Sequence, residues 1–387
     1  MVETCSRELW RVAENSVREN CVNTAAGPLV TAGAHQFKTF WVRDFCYAVP
    51  GLLEVLDPNL VRHQLALALQ NTRSDGLVAR GFDVVNPKAR VLAATCGLET
   101  LDFFSFAAKP LKAEYLGEHG TPAADSNLLV LLACMQWSER TGDPYFFEHH
   151  EGNLKKIFAF SCSSRNGPLL EQPPFSDWQD SARRNGATFY LNLLFLRVLR
   201  KLQRAKFAWA LPESVENCVA SFWNSFYCPE HSLFRSQIGR DQFSLETQLW
   251  CIEEDLFARY LDRKNLWESL RRSPLWGEGL PGRAVWPPYP ASEVSWTTKL
   301  VGLRHYHDQF YWSWLMAESM KVAKIMGAQA DVAALMSELA KLAKRHNTIH
   351  EIYEKKEALR PVRRPFYRSE FPFTWGAAKI LEALRQK

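Results

Sequence analysis

Apolar residues recur every three or four positions in thirteen segments of the chain, a spacing typical of helices that bury at least one face. The segments are residues 6–22, 44–56, 58–73, 93–107, 125–141, 144–160, 187–204, 212–226, 243–260, 264–272, 308–326, 329–345 and 371–385. The alternation of period two that marks strands is scarce, and Gly, Pro and Asp clusters separate the segments. The pattern therefore predicts an all-α protein.

The connections between the predicted helices are long. Several run to roughly 10–20 residues, whereas the helices of a simple bundle are usually joined by about two to eight. No Ser/Gly linker or block of like charge divides the chain, so residues 1–387 are predicted to form a single domain. Long helices that alternate with long loops suit a closed ring of helical hairpins whose loops gather at one end. The stretch 277–290 is long enough to form a lid there, and the sequence does not decide whether it does.

The composition is that of a globular protein without a nucleic-acid or membrane partner. Apolar residues make up 47% of the 387, and the 47 basic and 42 acidic residues are spread along the chain without a basic stripe. The N-terminus is charged where a signal peptide would be apolar, and no apolar run reaches the roughly 18 residues of a membrane span. Cysteines such as Cys46, Cys134, Cys218 and Cys251 fall in apolar runs, so we expect core residues of a cytoplasmic protein.

The stretch 171–186, EQPPFSDWQDSARRNG, is the first candidate for chemistry because it combines acids, aromatic residues and turn formers. Asp177 and Asp180 lie on either side of Trp178, and two arginines follow, the second of which is Arg184. Its prolines and its Asn-Gly pair disfavour a helix here, which predicts that Asp180 lies just before the start of the next helix. A carboxyl group at such a position often only caps the helix, and capping is the simpler explanation.

Polar and aromatic residues also meet near other predicted helices. These residues are Trp41 with Arg43 and Asp44, Asp125, His307 with Trp312, and Glu351. Each group alone is explained by capping or by the helix dipole. In a ring of hairpins, however, the helix starts all face the same end. The groups taken together therefore predict a functional site at that end of the ring. Tryptophans in loops also suit the apolar faces of sugar rings.

Five motifs at these positions occur in a shared order, namely FWVRDF at 40–45, ADSNL at 124–128, WQD at 178–180 with RNG at 184–186, YHD at 306–308 and IHEIY at 349–353. They resemble motifs of the (α/α)6-barrel glycosidases, in particular the amylo-α-1,6-glucosidase domain of glycogen-debranching enzymes and the neutral/alkaline invertases. Glucoamylases and trehalases look like more distant relatives. The resemblance runs over residues 37–385 and implies an (α/α)6 toroid, which is a ring of six helical hairpins.

The resemblance implies an inverting glycoside hydrolase that acts on α-glucosidic bonds of a small sugar or short glucan, with no metal or cofactor. By the match, Asp180 takes the place of the general acid and Glu351 that of the general base, the two carboxyl groups that this reaction needs. The residues matched to sugar-binding positions are Trp41, Arg43, Asp44, Asp125, Trp178, Arg184, His307 and Trp312. Asp177 is the alternative acid, because glucoamylase-like enzymes place theirs directly beside the tryptophan, where this chain has Gln179.

Three other functions fit part of the pattern. An invertase-like enzyme would hydrolyse sucrose, and a non-catalytic toroid would only bind carbohydrate. A sugar epimerase related to N-acylglucosamine 2-epimerase has the same ring and uses pairs of histidines as acid and base, for which His305 and His307 are available. The partner expected in each case is a small carbohydrate, and the sequence does not indicate an oligomeric state.

Overall fold

The protein consists of two concentric layers of helices, as described by a computed structural model of residues 2–98, 101, 104–106, 109–205, 207, 209, 215–277 and 279–386. The inner helices are α2 (Val42–Leu52), α5 (Ser126–Thr141), α7 (Phe189–Arg204), α9 (Leu245–Glu254), α12 (Ser313–Ile325) and α14 (Thr374–Arg385). The outer helices are α1 (Val2–Glu19), α3 (Pro58–Gln70), α6 (Tyr145–Cys162), α8 (Val215–Phe226), α10 (Arg263–Arg272) and α13 (Gln329–His346). Two short helices, α4 (Pro87–Thr95) and α11 (Trp296–Leu300), lie outside this alternation.

The inner helices close into a ring. Each contacts the next in the order α2, α5, α7, α9, α12 and α14, and α14 returns to α2. The outer helices cover them, with α1 against α14, α3 and α6 against α5, α8 against α7, α10 against α9 and α13 against α12. The predicted all-α fold, an (α/α)6 toroid of six hairpins, is confirmed.

Burial explains why the two layers have different sequence patterns. In the inner helix α12 every residue from 313 to 323 is buried, whereas the outer helix α10 buries only Leu266, Trp267 and Leu270. A helix enclosed on all sides is apolar all round, and one on the surface is apolar along one stripe. The cysteines expected in the core, Cys46 and Cys134 among them, are indeed buried.

Aromatic rings fill the middle of the ring of helices. The ring of Tyr47 on α2 lies parallel to Trp375 on α14, with centroids 4.6 Å apart, and Trp314 on α12 stacks on both, at 5.9 and 4.5 Å. Tyr47 also stacks on Trp250 of α9 at 6.1 Å, on the opposite side of the ring. Trp178 meets Trp314 edge to face at 5.1 Å. Such contacts add to the stability gained from burial alone, so aromatic packing joins helices across the ring.

Charged residues are buried or half-buried on three inner helices. The Nζ atom of Lys321 lies 2.7 Å from Glu318, 3.0 Å from Glu253 and 3.0 Å from Glu382, and Lys379 also pairs with Glu382 at 2.8 Å. These five residues, here called the buried charge cluster, link α9, α12 and α14. A buried lysine is stable only when carboxylates surround it in this way.

The strands of the described residues are short and pair antiparallel between the helices. They are β1 (Cys21–Thr24), β2 (Gly27–Val30), β3 (Phe40–Trp41), β4 (Gly81–Asp83), β5 (Lys112–Glu114), β6 (Arg165–Asn166), β7 (Leu169–Leu170), β8 (Tyr227–Cys228), β9 (Leu233–Phe234), β10 (Phe243–Ser244), β11 (Val285–Trp286), β12 (Tyr311–Trp312), β13 (Ile352–Lys355), β14 (Leu359–Pro361), β15 (Arg363–Arg364) and β16 (Tyr367–Arg368). Two sheets have three strands, in the orders β3-β4-β5 and β12-β13-β14.

Several predicted helix boundaries are wrong. The helix expected at 93–107 is replaced by α4, which begins earlier because Pro87 follows Asn86, whose side chain accepts a hydrogen bond from the Lys88 amide at 2.9 Å. It ends before Gly97, which has a φ of 71°. Residues 99–100, 102–103 and 107 of that segment lie outside the described residues. The helix expected from 308 begins at residue 313, because β12 precedes it and pairs with β13.

Gly51 marks a close approach of α2 to α14. A Cβ atom here would lie 1.9 Å from the carbonyl oxygen of Ala378, and backbone packed on both sides cannot move aside. Gly51→Ala should therefore lower the free energy of unfolding by about 1–3 kcal/mol, measured by denaturant unfolding. In the control Gly152→Ala, on the exposed side of α6, the new Cβ meets nothing within 4 Å, and the change should stabilise by about 0.5–1 kcal/mol. Equal effects of the two substitutions would contradict the close approach.

Candidate active site

A cavity of about 460 Å³ opens at the end of the ring where inner helices such as α2, α12 and α14 begin. The structure brings eight residues singled out from the sequence together around it: Trp41, Arg43, Asp44, Trp178, Asp180, His307, Trp312 and Glu351. They come from helix starts and from the connections between helices. In the described chain, no helix has the length and apolar character needed to cross a bilayer.

Asp180 lies on the connection between α6 and α7 and faces the cavity with 38% of its side chain exposed. Its Oδ2 atom lies 3.3 Å from Nη1 of Arg43 and 3.8 Å from Nη2 of Arg80. The explanation of Asp180 as a helix cap is wrong, as is its expected position just before a helix. Helix α7 begins only at residue 189, and Thr188 caps it by accepting a hydrogen bond from the Leu191 amide.

Glu351 lies directly before β13, and only 2% of it is exposed. The hydroxyl groups of Tyr306 and Tyr367 donate hydrogen bonds to its two carboxyl oxygens, the second at 2.5 Å. Burial raises the pKa of Glu351 to about 8, although the two hydroxyl donors favour the charged form. The negative charge of nearby Glu370 raises it further. The result is a carboxyl group that holds a proton at neutral pH and is oriented by two hydroxyl groups.

Asp125 lies one layer behind the cavity. It receives two hydrogen bonds from Arg43, at 2.8 and 3.0 Å, and a third from the hydroxyl of Tyr190 at 2.9 Å. It occupies the N-cap position of α5 without a side-chain capping bond, so capping does not explain it. It is fully buried and is not among the residues that line the cavity. The structure thus makes Asp125 a support for Arg43 and does not place it on the cavity wall, where the resemblance had implied it.

Asp44 lines the cavity beside Arg43 at the start of α2. Burial raises its pKa to about 7, and the negative charges of Asp180 and Asp125 act in the same direction, whereas the Arg43 guanidinium acts against them. Asp44 therefore changes charge near neutral pH. Both forms of a carboxyl group can bind sugar hydroxyls, the ionised form as an acceptor and the neutral form also as a donor.

His307 and Trp312 form a flat wall of the cavity. Their rings are nearly parallel, at 6° and 5.4 Å between centroids, and Trp178 meets both edge to face. His307 Nδ1 pairs with the hydroxyl of Ser181 at 2.6 Å, and burial lowers the pKa of His307 to about 3, so the ring is neutral. His305 points elsewhere. Its Nδ1 pairs with Asp308 at 2.9 Å, and it is not one of the lining residues.

The other candidates from the same loop, Asp177 and Arg184, are buried behind Trp178, and neither lines the cavity. Asp177 accepts hydrogen bonds from the Gln172 side chain at 2.8 Å and from the Gln179 amide at 2.9 Å, and Arg184 lies 3.4 Å from it. These contacts hold the loop in place. The resemblance implied that Arg184 contacts the sugar and that Asp177 could donate the proton. Both roles require a side chain that reaches the cavity, and neither side chain does so in this arrangement.

Sequence reasoning did not select four further lining residues, Arg80, Tyr306, Tyr367 and Trp375. The Arg80 guanidinium stacks over the indole of Trp41 at 4.7 Å and reaches Asp180. The sequence did contain one indication of Arg80, because a charged residue interrupts the apolar stretch 77–85 at this position. Tyr306 belongs to the YHD motif, and Trp375 lies in the first turn of α14. Nothing in the sequence marks Tyr367.

The stretch 277–290, apart from residue 278, is anchored to the ring. Strand β11 pairs with β10, Gly282 packs against Tyr311 and Met316, and the Tyr289 hydroxyl donates a hydrogen bond to the side chain of Gln179. It is thus held in place and does not form a free flap. Among the described residues no group of three His, Cys, Asp or Glu side chains is arranged to hold a metal ion.

Comparisons with known proteins connect this geometry to a fold class. No protein-family model and no curated protein matches the sequence. Solved structures do match. A rhamnosidase from Klebsiella oxytoca, with rhamnose bound, superposes with a TM-score of 0.68 at 12% identity over 98% of this chain and 63% of its own, so this chain spans less than two thirds of that protein. A second rhamnosidase, from Bacillus, is covered over 34% of its length.

Two further structures are similar over almost their whole length. The GH63 mannosylglycerate hydrolase from Thermus thermophilus has a TM-score of 0.65 at 12% identity, with 97% of this chain and 99% of that chain covered. A sugar epimerase from a ruminal bacterium has a TM-score of 0.61 at 10% identity, with 99% and 98% covered. The protein therefore has the (α/α)6 six-hairpin glycosidase-type fold, which confirms the fold that the resemblance implied.

Proposed function

We propose that the protein is an inverting glycoside hydrolase that cleaves α-glucosidic bonds of a small sugar or short glucan. The observation that carries the proposal is the cavity into which Asp180 and Glu351 both face, with arginines on one carboxyl group and tyrosine hydroxyls on the other. The named glycosidases among the similar structures support the class. A glycosidic bond breaks through an oxocarbenium-like transition state, for which one carboxyl group must protonate the leaving oxygen and another must activate water.

In this proposal Asp180 is the general acid and Glu351 the general base. Asp180 is the more exposed of the two and can exchange its proton with solvent between turnovers. Glu351 is enclosed, and the hydroxyls of Tyr306 and Tyr367 fix the direction in which its carboxylate accepts a proton from water. Asp44 and Arg43 would bind sugar hydroxyls between them, and the indole of Trp312 offers an apolar face. The enclosure of Asp177 supports Asp180 as the acid.

The test is an assay of maltose, isomaltose, sucrose and short glucans, with the released sugar followed by NMR. An inverting α-glucosidase releases β-glucose first. Cleavage of sucrose alone would instead indicate the invertase-like alternative, and a product of unchanged mass would indicate the epimerase. The position of His305 away from the cavity weighs against an acid–base pair of histidines. If sugars stabilise the protein against thermal unfolding but are not converted, the result would indicate a non-catalytic carbohydrate-binding protein.

Tyr367→Phe should shift the pH dependence of the reaction. Glu351 changes charge near pH 8 in the free protein, so the pH profile of kcat/KM should bend near that pH. Loss of one hydroxyl donor disfavours the carboxylate and should move this bend to higher pH. Tyr353→Phe is the control, because its buried hydroxyl accepts a hydrogen bond from the His350 amide instead. A bend that stays in place in Tyr367→Phe, or that moves equally far in Tyr353→Phe, would contradict a role of Glu351 that depends on the Tyr367 hydroxyl.

A further inference from the structure

More than half of the exposed large apolar side chains of the described residues lie on the segments that line the cavity. The described residues include eleven large apolar side chains that are exposed, and six of these either line the cavity or directly adjoin a lining residue in the chain. These six, here called the apolar rim, are Val91, Leu92, Leu116, Trp296, Leu300 and Phe366. Trp296 and Leu300 are 67% and 70% exposed. Single exposed apolar residues are ordinary on protein surfaces, but a cluster of them marks a binding surface.

The rim comes from four segments that are far apart in the sequence. They are α4, the loop before α5, α11 and the hairpin of β15 and β16, and each also supplies a residue that lines the cavity. Thr297 on α11 and Val301 directly after this helix line the cavity, whereas Trp296 and Leu300, one position before each, form an adjacent face of the helix. The rim is therefore the outer edge of the cavity wall.

The apolar character continues from the rim into the cavity. Val91 belongs to both, and Pro122, Val301 and Leu303 line the cavity on the segments that carry the rim or directly follow them. A protein seated on all four segments would close the mouth and keep the substrate out. The leaving group of a bound glycoside, in contrast, must extend from the carboxyl groups through the mouth. We infer that the apolar rim binds the leaving group of the substrate, and that this leaving group is an apolar chain. This inference rests on the proposed glycosidase function and replaces the sugar leaving group of the proposed substrate by that of an apolar alcohol.

The test compares methyl, butyl and octyl α-D-glucopyranosides, and the same series of α-rhamnosides, below their micelle concentrations. Each methylene group buried against the rim should raise kcat/KM by up to roughly fourfold, so the octyl glycoside should exceed the methyl glycoside at least tenfold. Trp296→Ser and Leu300→Ser should reduce this advantage to less than threefold without changing the rate on the methyl glycoside. Tyr145→Ser is the matched control, because Tyr145 is 73% exposed on α6 and away from the cavity.

The outcomes separate this inference from the proposed function. Equal kcat/KM for methyl and octyl glycosides would overturn the inference and leave a glycosidase. If no glycoside is cleaved, the proposed function fails. Calorimetric titration of the wild-type protein with the methyl and octyl glycosides then tests whether the apolar rim binds the alkyl chain. Equal affinities for the two would overturn the inference. Two further measurements test other partners of the apolar rim: sedimentation velocity detects a dimer, and binding to vesicles of phosphatidylcholine detects membrane association. A dimer or a membrane association that Trp296→Ser abolishes, without any effect of chain length, would assign the rim to a different partner.

Discussion

Glu351→Gln should reduce hydrolysis of the best substrate by about 10²–10⁴-fold, the contribution typical of a positioned general base. The amide cannot accept a proton from water, although it keeps the shape of the side chain and can still contact Tyr306 and Tyr367. Because the change concerns chemistry and not binding, kcat should fall while KM changes little. Steady-state kinetics and a thermal melt would establish the result. Glu357→Gln, at an exposed glutamate six residues along, should behave as the wild type.

Asp180→Asn provides the companion measurement that separates the two roles. Both variants should lose activity on ordinary glycosides. With α-glucosyl fluoride, whose leaving group needs little protonation, Asp180→Asn should recover most of its rate whereas Glu351→Gln should not. Recovery by Glu351→Gln alone would show that the roles are exchanged. Wild-type rates for both folded variants would remove these residues from the reaction, and Asp177→Asn would then be examined.

Lys321→Met should destabilise the protein by about 3–5 kcal/mol, because removal of one partner from a buried ion pair leaves charges that water cannot reach. Lys321 is 3% exposed, and three glutamates of the buried charge cluster lie within 3.0 Å of its Nζ atom. Lys379, which pairs with Glu382, and Arg197, which acts on Glu253, would remain to neutralise them in part. Denaturant unfolding at neutral pH measures the effect. Lys341→Met is the matched control, because Lys341 also pairs with a glutamate three positions earlier, Glu338, but is 67% exposed and should matter by less than about 1 kcal/mol.

The effect of Lys321→Met should also depend on pH. In the native protein, the two lysines lower the pKa of Glu382 to about 2 despite its burial. A carboxyl group with a lowered folded-state pKa stabilises the protein above its unfolded value and loses that contribution as the pH falls. Without Lys321 the carboxyl groups take up protons more readily, so the difference between wild type and variant should shrink between pH 7 and pH 4. A difference that grows on acidification would contradict this account of the buried charge cluster.

The helices could be predicted because the apolar residues of both layers recur every three or four positions, and this spacing persists even where the boundaries shift. Their arrangement as an (α/α)6 toroid was predicted from the five motifs in shared order. The boundaries of α4 and α12 were mispredicted for separate reasons. For α4 the Asn-Pro start signal lies outside the apolar segment. For α12 the preceding residues Tyr311 and Trp312 are apolar in either a strand or a helix, and only their pairing with β13, some 40 residues away, makes them a strand.

The site was predictable only in part. Motifs indicated Asp180 and Glu351, but a motif does not say which of its residues face a cavity. Arg184 is four residues from Asp180 and is buried behind it, because the loop turns between them. Arg80, in contrast, reaches Asp180 from 100 positions away, and such proximity has no local signal in one sequence.

The site and the ring of helices are built from different parts of the chain. The ring is held by contacts between the inner helices and by the buried charge cluster on three of them, whereas Asp180, Glu351 and the apolar rim lie on the segments that join these helices. Insertion or exchange of a connection can thus create a new specificity while the scaffold remains intact. Solved structures only 10–12% identical to this chain keep the same fold.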